Sequence, residues 1–148
     1  ELNTLFVKGS AWETSQNLAP GFGFGYNDGL GGGPPSVTAF VRDATTRVRV
    51  ELEYPASGTP PPPARDGKFH HVALAVDRSA ALASLYIDGE KVAETGIPTA
   101  LGSVDSSDPA RLCGETAPTL GLDGAIDEAV VIGRALSAAE VRLLAARR

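Results

Sequence analysis

Cysteine, methionine and tryptophan are nearly absent from this chain, whose 148 residues include one Cys, no Met and one Trp. The single Cys113 cannot form a disulfide within the chain or build a zinc site alone. We expect a half-buried free thiol, with a disulfide partner in a segment outside this chain as the alternative. Apolar runs such as Ala129–Ile132 are far too short to span a bilayer. These scarcities exclude a disulfide-rich scaffold and membrane insertion.

Positive charge is also limited, because 13 Lys and Arg stand against 18 Asp and Glu and the net charge is −5. Nucleic-acid binding depends on clustered basic residues that neutralise phosphates, and no such block is present. We therefore expect no nucleic-acid partner. Hydrophobic residues make up 43% and charged residues 21%, an ordinary composition for a globular domain. This length fits one domain with a sizeable core.

The 17 Gly and 11 Pro demand frequent turns and favour many short strands over a few long helices. Apolar and charged residues alternate along Arg47–Tyr54, which is typical of an antiparallel strand with one wet face. Further strand-like stretches are Thr4–Lys8, Gly21–Tyr26, Ser36–Arg42, His71–Asp77 and Gly124–Ile132. The alternation predicts two packed sheets that bury Val48, Val50, Leu52, Val72, Leu74, Val76, Leu85, Ile87, Ile126 and Val130.

Two local signals predict a hairpin and a helix. The Asp88–Gly89 pair favours a tight hairpin, because these residues tolerate the positive φ that such turns require. Near the C-terminus, Ser137 and Glu140 have the spacing of a capping box, and Leu136 and Val141 have that of a hydrophobic staple. The residues therefore predict an all-β domain with a short C-terminal helix.

Two longer stretches carry a family resemblance. Residues 66–77 read DGKFHHVALAVD and residues 85–89 read LYIDG, while residues 122–132 read LDGAIDEAVVI and residues 134–141 read RALSAAEV. They are similar to the W-H-H-V-A … L-Y-I-D-G and G-x-I-D-E-V … R-A-L-S-x-x-E-I signatures of laminin-G-like domains of the concanavalin A-like lectin/glucanase superfamily. The match is strong over the C-terminal half, whereas the first half agrees only in strand pattern. Phe69 stands where the family has Trp, and we expect it to remain an aromatic plug in the core.

The resemblance implies an antiparallel β-sandwich of the jelly-roll type. Such domains open with further strands, so we expect residues 1–148 to be one laminin-G-like domain that lacks its first N-terminal strands. An exposed sheet edge and self-association through it would follow. The resemblance also implies a secreted or cell-surface recognition module, not an enzyme, that binds a glycan or an extracellular protein. The alternatives are a structural or assembly domain without a small ligand and, least favoured, a glycoside hydrolase fragment.

One structural calcium ion is a further implication, because domains of this kind often carry Ca²⁺ at the sandwich edge. The Asp of the G-x-I-D-E stretch corresponds to Asp127, and Asp123 lies close enough along the chain to help. Calcium takes six to eight oxygen ligands, so these residues would supply only part of the site. Alternatively, Asp123 caps a turn and Asp127 accepts backbone hydrogen bonds.

The acidic and histidine residues do not predict catalysis. A glycosidase needs two facing carboxylates, yet the adjacent Asp127 and Glu128 would point to opposite faces of a strand. The glutamates of the 47–54 strand share a face with arginines, which indicates a charge-paired surface. His70 and His71 would likewise diverge on a strand, and a base without an oriented partner is a weak candidate.

Aromatic residues supply the ligand candidates. We expect Trp12 and Tyr26 to be exposed for sugar stacking, although Trp12 fits a core or loop anchor equally well. Gly21–Gly25 has glycine at every second position, but no helix-forming sequence follows it. We predict a strand there rather than a phosphate-binding loop, with the glycines leaving room for a neighbouring backbone or ring.

Overall fold

The computed structural model describes residues 2–9, 20–27, 35–43, 49–54, 66–114, 122 and 124–147. Within these ranges the chain forms eight β-strands and one α-helix. In the described part of the chain, no helix is long and apolar enough to cross a membrane. The elements are β1 (Leu2–Lys8), β2 (Gly21–Asn27), β3 (Ser36–Arg42), β4 (Arg49–Tyr54), β5 (Val72–Asp77), β6 (Leu82–Ile87), β7 (Glu90–Gly96), β8 (Ala110–Leu112) and α1 (Ala138–Ala145).

The strands form two antiparallel sheets. One sheet has five strands in the order β4-β3-β2-β1-β8, and the other has three in the order β5-β6-β7. Within β1–β4 and within β5–β7, strands that follow each other in the chain pair with each other, and β8 pairs with β1. Because β4 contacts β6 and β7, the sheets lie against each other. The predicted all-β sandwich with a short C-terminal helix is confirmed.

The main core lies between the sheets. Leu85 of β6 is 0% exposed and belongs to the cluster that Val50 and Leu52 of β4 enter from the opposite sheet. Glu51 and Glu53 are exposed, so the alternation predicted for this strand is confirmed over the described residues. The large apolar residues of β4 and β6 therefore join the two sheets.

The other predicted core residues are buried to different degrees. Ile87 is buried, whereas Val72, Leu74 and Val76 of β5 are half-buried and pack against the core. Val48 lies outside the described residues. The predicted face of β5 thus packs against the core. Its three valine and leucine side chains are more exposed to solvent than predicted.

The opposite face of the five-stranded sheet packs closely around Gly23. The strand register aligns Val7, Gly23 and Phe40 in one row across β1, β2 and β3, and both larger side chains are 0% exposed. A Cβ atom on Gly23 would lie 2.5 Å from the backbone oxygen of Phe6 and 2.9 Å from Cε1 of Phe40. The predicted strand is confirmed, and so is the predicted role of glycine in making room for a ring.

The loop after β7 ties the two sheets together. Arg78, in the turn between β5 and β6, donates from Nη1 to the carbonyl oxygen of Leu101 at 2.8 Å and from Nη2 to that of Gly102 at 2.7 Å. The backbone N–H of Gly102 donates to Oδ2 of Asp43, which follows β3, at 2.9 Å. These hydrogen bonds link a turn of the smaller sheet to the end of a buried strand in the larger one.

The helix α1 packs on the outer face of the three-stranded sheet. Val141 is 1% exposed and contacts Ala75 of β5 and Tyr86 of β6, with Leu136 packed against the same cluster. Leu136 and Val141 therefore form the predicted hydrophobic staple. One face of the smaller sheet packs on the larger sheet, and α1 covers the part of the other face around Ala75 and Tyr86.

The start of α1 has the predicted capping box. The Ser137 hydroxyl accepts a hydrogen bond from the Glu140 backbone N–H, and the Glu140 carboxylate accepts one from the Ser137 backbone N–H at 2.8 Å. Arg134 adds two hydrogen bonds to this carboxylate, at 3.1 and 2.6 Å. Together with the Ser137 contacts, the guanidinium of Arg134 lowers the pKa of Glu140 to about 2.

The strand predicted for Gly124–Ile132 is wrong. Residues 124–132 are irregular, and no described strand pairs with them. Ile126 is half-buried and Val130 is 73% exposed, so the predicted burial of Val130 is also wrong. Strand-type residues form a ladder only where a partner backbone is available, and none of the described strands lies beside this segment.

Candidate functional site

His70 lies between two carboxylates immediately before β5. Its Nδ1 is 2.7 Å from Oδ2 of Asp88, and its Nε2 is 3.0 Å from Oδ1 of Asp66. The strand predicted for His71–Asp77 begins one residue later, at Val72, so neither histidine lies on it. The expectation that no partner orients these histidines is wrong for His70, whose side chain is only 17% exposed.

The carboxylates favour the doubly protonated imidazole. The hydrogen bond to Asp88 raises the pKa of His70 above its ordinary value of 6.5, and this effect and that of Asp66 outweigh partial burial. In return, the hydrogen bond to His70 lowers the pKa of Asp66 below 3.8, and the backbone N–H of Lys68 acts in the same direction. The site therefore favours a cation between two anions.

A tight turn positions the Asp88 carboxylate. Asp88 and Gly89 have φ values of 52° and 83°, so the predicted hairpin with two left-handed residues is confirmed. The His71 backbone N–H donates to Oδ1 of Asp88 at 2.9 Å, and the Asp88 N–H donates to the His71 carbonyl at 2.8 Å. The turn therefore presents one oxygen to the backbone and the other to the imidazole.

The same turn lies against the C-terminal helix. A Cβ atom on Gly89 would lie 3.1 Å from Cα of Arg142 and 3.2 Å from Cβ of Ala145, so only glycine fits without displacement. Glu90, at the start of β7, accepts hydrogen bonds from Arg142 at 3.2 and 3.3 Å. The β6–β7 turn thus contacts both His70, through Asp88, and α1, through Gly89 and Glu90.

Sequence reasoning missed both carboxylate partners of His70. A signal for Asp88 was present, because pairing Val72 with Ile87 across the β5–β6 hairpin brings His71 opposite Asp88. The proximity of Asp66, four residues before His70, depends on the path of an irregular loop. No periodic pattern predicts that path.

Phe69, next to His70, does not plug the core. Its side chain is 61% exposed, so the role expected from the family Trp is wrong in this structure. Among the described residues, every other Phe and Tyr side chain is buried or half-buried. An exposed ring therefore stands beside a cluster of hydrogen-bonding groups.

A second exposed feature is a run of three apolar residues, here called the apolar strip. Val130, Val131 and Ile132 are 73%, 63% and 42% exposed, and they follow the exposed pair Asp127–Glu128. Single exposed apolar residues are ordinary, whereas three consecutive ones form a small continuous apolar surface. Among the described residues, no strand pairs with the strip.

Of the four predicted site residues, the structure describes Tyr26 and Asp127. Trp12 and Asp123 lie outside the described residues. Tyr26 is 8% exposed and belongs to the core, so the expectation of an exposed ring is wrong. Asp127 is exposed, and the described residues include no group of three or more His, Cys, Asp or Glu that could hold a metal. Calcium binding by Asp123 and Asp127 stays a prediction.

Two further expectations differ from the structure. Asp127 and Glu128 do not point to opposite faces of a strand, because residues 127 and 128 are irregular and Glu128 has a φ of 51°. Cys113 is an exposed free thiol rather than a half-buried one, and its φ is 60°. Neither observation creates a facing pair of carboxylates or a nucleophile next to a base.

Comparison with known proteins identifies the family. A solved structure of an S-layer domain-containing protein from Clostridium thermocellum ATCC 27405 is 20% identical, with a TM-score of 0.37. The alignment covers 98% of this chain and 65% of that one. No curated protein is similar enough in sequence to count as a match. A laminin G family model, described as concanavalin A-like lectin/glucanases superfamily, matches residues 4–142. With two antiparallel sheets and a match over nearly its whole length, this chain belongs to the laminin G family of the concanavalin A-like lectin/glucanases superfamily.

Proposed function

We propose that this domain is a non-catalytic recognition module, secreted or at the cell surface, that binds a polypeptide partner through the apolar strip. The observation that carries the proposal is the exposure of Val130, Val131 and Ile132 as three consecutive residues. Family membership supports an extracellular or surface location, because laminin-G-like domains generally bind extracellular partners.

The strip favours an extended partner segment. Burying a Val or Ile side chain fully stabilises a complex by about 1.5–3 kcal/mol, so three neighbours supply a useful apolar contact. An added strand would also satisfy the backbone groups of the strip. Asp127 and Glu128 precede the strip and are both exposed. Charge complementarity therefore favours an apolar strand with Lys or Arg beside it.

A second copy of the chain is the partner that can be tested first. We expect concentration-dependent self-association in sedimentation equilibrium and a loss of affinity of at least about tenfold, or about 1.4 kcal/mol, in Val131→Glu. Leu143→Glu is the matched control, because Leu143 is 66% exposed but lies on α1. Equal weakening by both variants would contradict a specific role for the strip.

A monomeric wild-type protein would exclude the second copy and leave a foreign strand as the partner. Selection from a displayed library of random peptides then tests whether a foreign strand binds the apolar strip. The Val131→Glu protein is used for counter-selection. We expect enriched peptides that combine alternating apolar residues with Lys or Arg. Failure to enrich any peptide that distinguishes the two proteins would overturn the proposal.

Glycan binding is the second candidate function, and the exposure of Phe69 favours it. A sugar ring could stack on this side chain while neighbouring carboxylates accept hydrogen bonds from its hydroxyl groups. We expect a glycan array to give signals that Phe69→Ala abolishes and Val131→Glu retains. If the glycan signals persisted in Phe69→Ala, the glycan would bind elsewhere than on this loop.

A calcium ion held by Asp127 and Asp123 also remains a proposal. It is supported by the family and by the exposure of Asp127. Calorimetric titration of Ca²⁺ into chelator-treated protein, repeated with Asp127→Asn, is the measurement that decides it.

A further inference from the structure

The two ring nitrogens of His70 contact groups that can only accept hydrogen bonds when ionised. Nδ1 lies 2.7 Å from one carboxylate oxygen, and Nε2 lies 3.0 Å from another. A neutral imidazole carries one N–H, so it can donate to only one of them. The other contact would then place a nitrogen lone pair against a carboxylate oxygen. Both contacts are therefore favourable only when the imidazole is cationic.

The contact with Asp66 lies within one loop, whereas the contact with Asp88 joins that loop to a turn 18 residues away along the chain. Asp66 belongs to the loop before β5, and Asp88 belongs to the turn between β6 and β7. That turn touches α1 through Gly89 and through the pairing of Glu90 with Arg142. One titratable side chain thus connects the 66–71 loop directly to a hairpin turn and indirectly to the C-terminal helix.

We propose that protonated His70 latches the 66–71 loop to the β6–β7 turn, and that the latch opens when the imidazole loses its proton. Opening removes the charge of both His70 ion pairs and at least one of their two hydrogen bonds, and it leaves intact the two hydrogen bonds between His71 and Asp88 and the β6–β7 backbone ladder. Its effect is a looser 66–71 loop, which carries the exposed ring of Phe69, and a weaker constraint on the turn that contacts α1. This latch does not depend on what the apolar strip binds.

The charged neighbours determine when the latch is closed. On its own loop, His70 faces Asp66, whose other oxygen is 3.5 Å from the ammonium nitrogen of Lys68. On the turn it faces Asp88, and across that turn α1 presents Arg142, which is already paired with Glu90. Among the described residues, the charged groups that contact His70 directly are the carboxylates of Asp66 and Asp88, and this surrounding favours the imidazolium.

The two pKa shifts define a pH window. The pKa of His70 is raised, so its stabilisation is complete below 6.5, the ordinary value, and is lost as pH rises through the folded-state value. The pKa of Asp66 is lowered, so its contribution is present above 3.8 and is lost as pH falls through its folded-state value. The latch is closed between the two folded-state values.

Nuclear magnetic resonance of the wild-type protein tests the latch. We expect the His70 Hε1 resonance to titrate with a midpoint above 6.5. The backbone amides of His71, Asp88 and Gly89 should move with the same midpoint, because they belong to the turn that the latch holds. A His70 midpoint at or below 6.5, or turn amides that do not follow it, would overturn the proposal.

Asp88→Asn separates charge from turn geometry. Asn also tolerates positive φ, and its side-chain oxygen can still accept from the His71 N–H. The variant should lower the His70 midpoint while the hairpin is retained. Glu94→Gln is the control, because it removes a carboxylate that pairs with Lys91 on the same hairpin and should leave the midpoint unchanged.

A stability measurement gives an independent readout. The difference in Tm between wild type and His70→Gln should be largest at about pH 6 and should shrink toward zero at about pH 9, following loss of the proton. A difference that is constant across this range would show that His70 acts only through packing. That result would contradict the latch even if the resonance titrates as expected.

Discussion

Leu85→Ala is expected to lower the free energy of unfolding by about 3 kcal/mol. Leu85 is 0% exposed and lies in the core cluster between the two sheets. Truncation removes apolar contacts and leaves a cavity that paired strands on either side cannot close. Urea denaturation monitored by the tryptophan fluorescence or by circular dichroism measures the change.

The matched control for this prediction is Leu143→Ala. Leu143 is 66% exposed on α1, so the same truncation there removes little buried surface and should change the free energy of unfolding by less than about 0.5 kcal/mol. Equal effects of the two variants would mean that the space between the sheets is not the main core.

Gly23→Ala is expected to destabilise the domain by about 3 kcal/mol, although it adds only one methyl group. The new Cβ would lie 2.5 Å from the Phe6 backbone oxygen and 2.9 Å from the Phe40 ring. The ring could shift, but the oxygen belongs to the β1 backbone, which pairs with β2 at this position. The clash between the new Cβ and the Phe6 oxygen is therefore relieved only if β1 moves away from β2.

Two comparisons separate this steric effect from the general effect of removing glycine. Gly96→Ala, at the end of β7, places a Cβ where no atom lies within 4 Å, and the free energy of unfolding should change by less than about 0.5 kcal/mol. Adding Phe40→Leu to Gly23→Ala should relieve only the clash with the ring, so the pair should be less destabilised than the sum of the single variants. If the effects of the two substitutions on the free energy of unfolding were strictly additive, the clash with the Phe40 ring would not contribute to the destabilisation by Gly23→Ala.

Elements that depend on neighbours in the chain were predicted correctly from the residues. Ser137 and Glu140 form their capping box within three positions, and Asp88 and Gly89 provide the two left-handed conformations that their turn requires. The alternation of β4 indicates which residues face the core, since successive side chains of a strand point to opposite faces. In each case the interaction or the geometry is local.

The candidate site could be predicted only in part, because its contacts depend on how distant segments pack. His70 was considered from the sequence and set aside for lack of a partner, since Asp88 reaches it only through the hairpin register and Asp66 through the loop path. The segment Gly124–Ile132, which contains the apolar strip, was expected to be a strand with Val130 buried because its residues follow a strand-like pattern. Propensity does not provide the neighbouring backbone that a strand needs.

The amino-acid sequence by itself determined the class of fold, the family, the hairpin turn and the capped helix, because each is specified by residue type and short-range spacing. Only the tertiary structure decided that Tyr26 is buried, that Phe69 and the apolar strip are exposed, and that His70 lies between two carboxylates. The physical reason is that solvent exposure and ion pairing depend on which other surface reaches a side chain. Strand register and loop paths determine those approaches, and they bring together residues far apart along the chain.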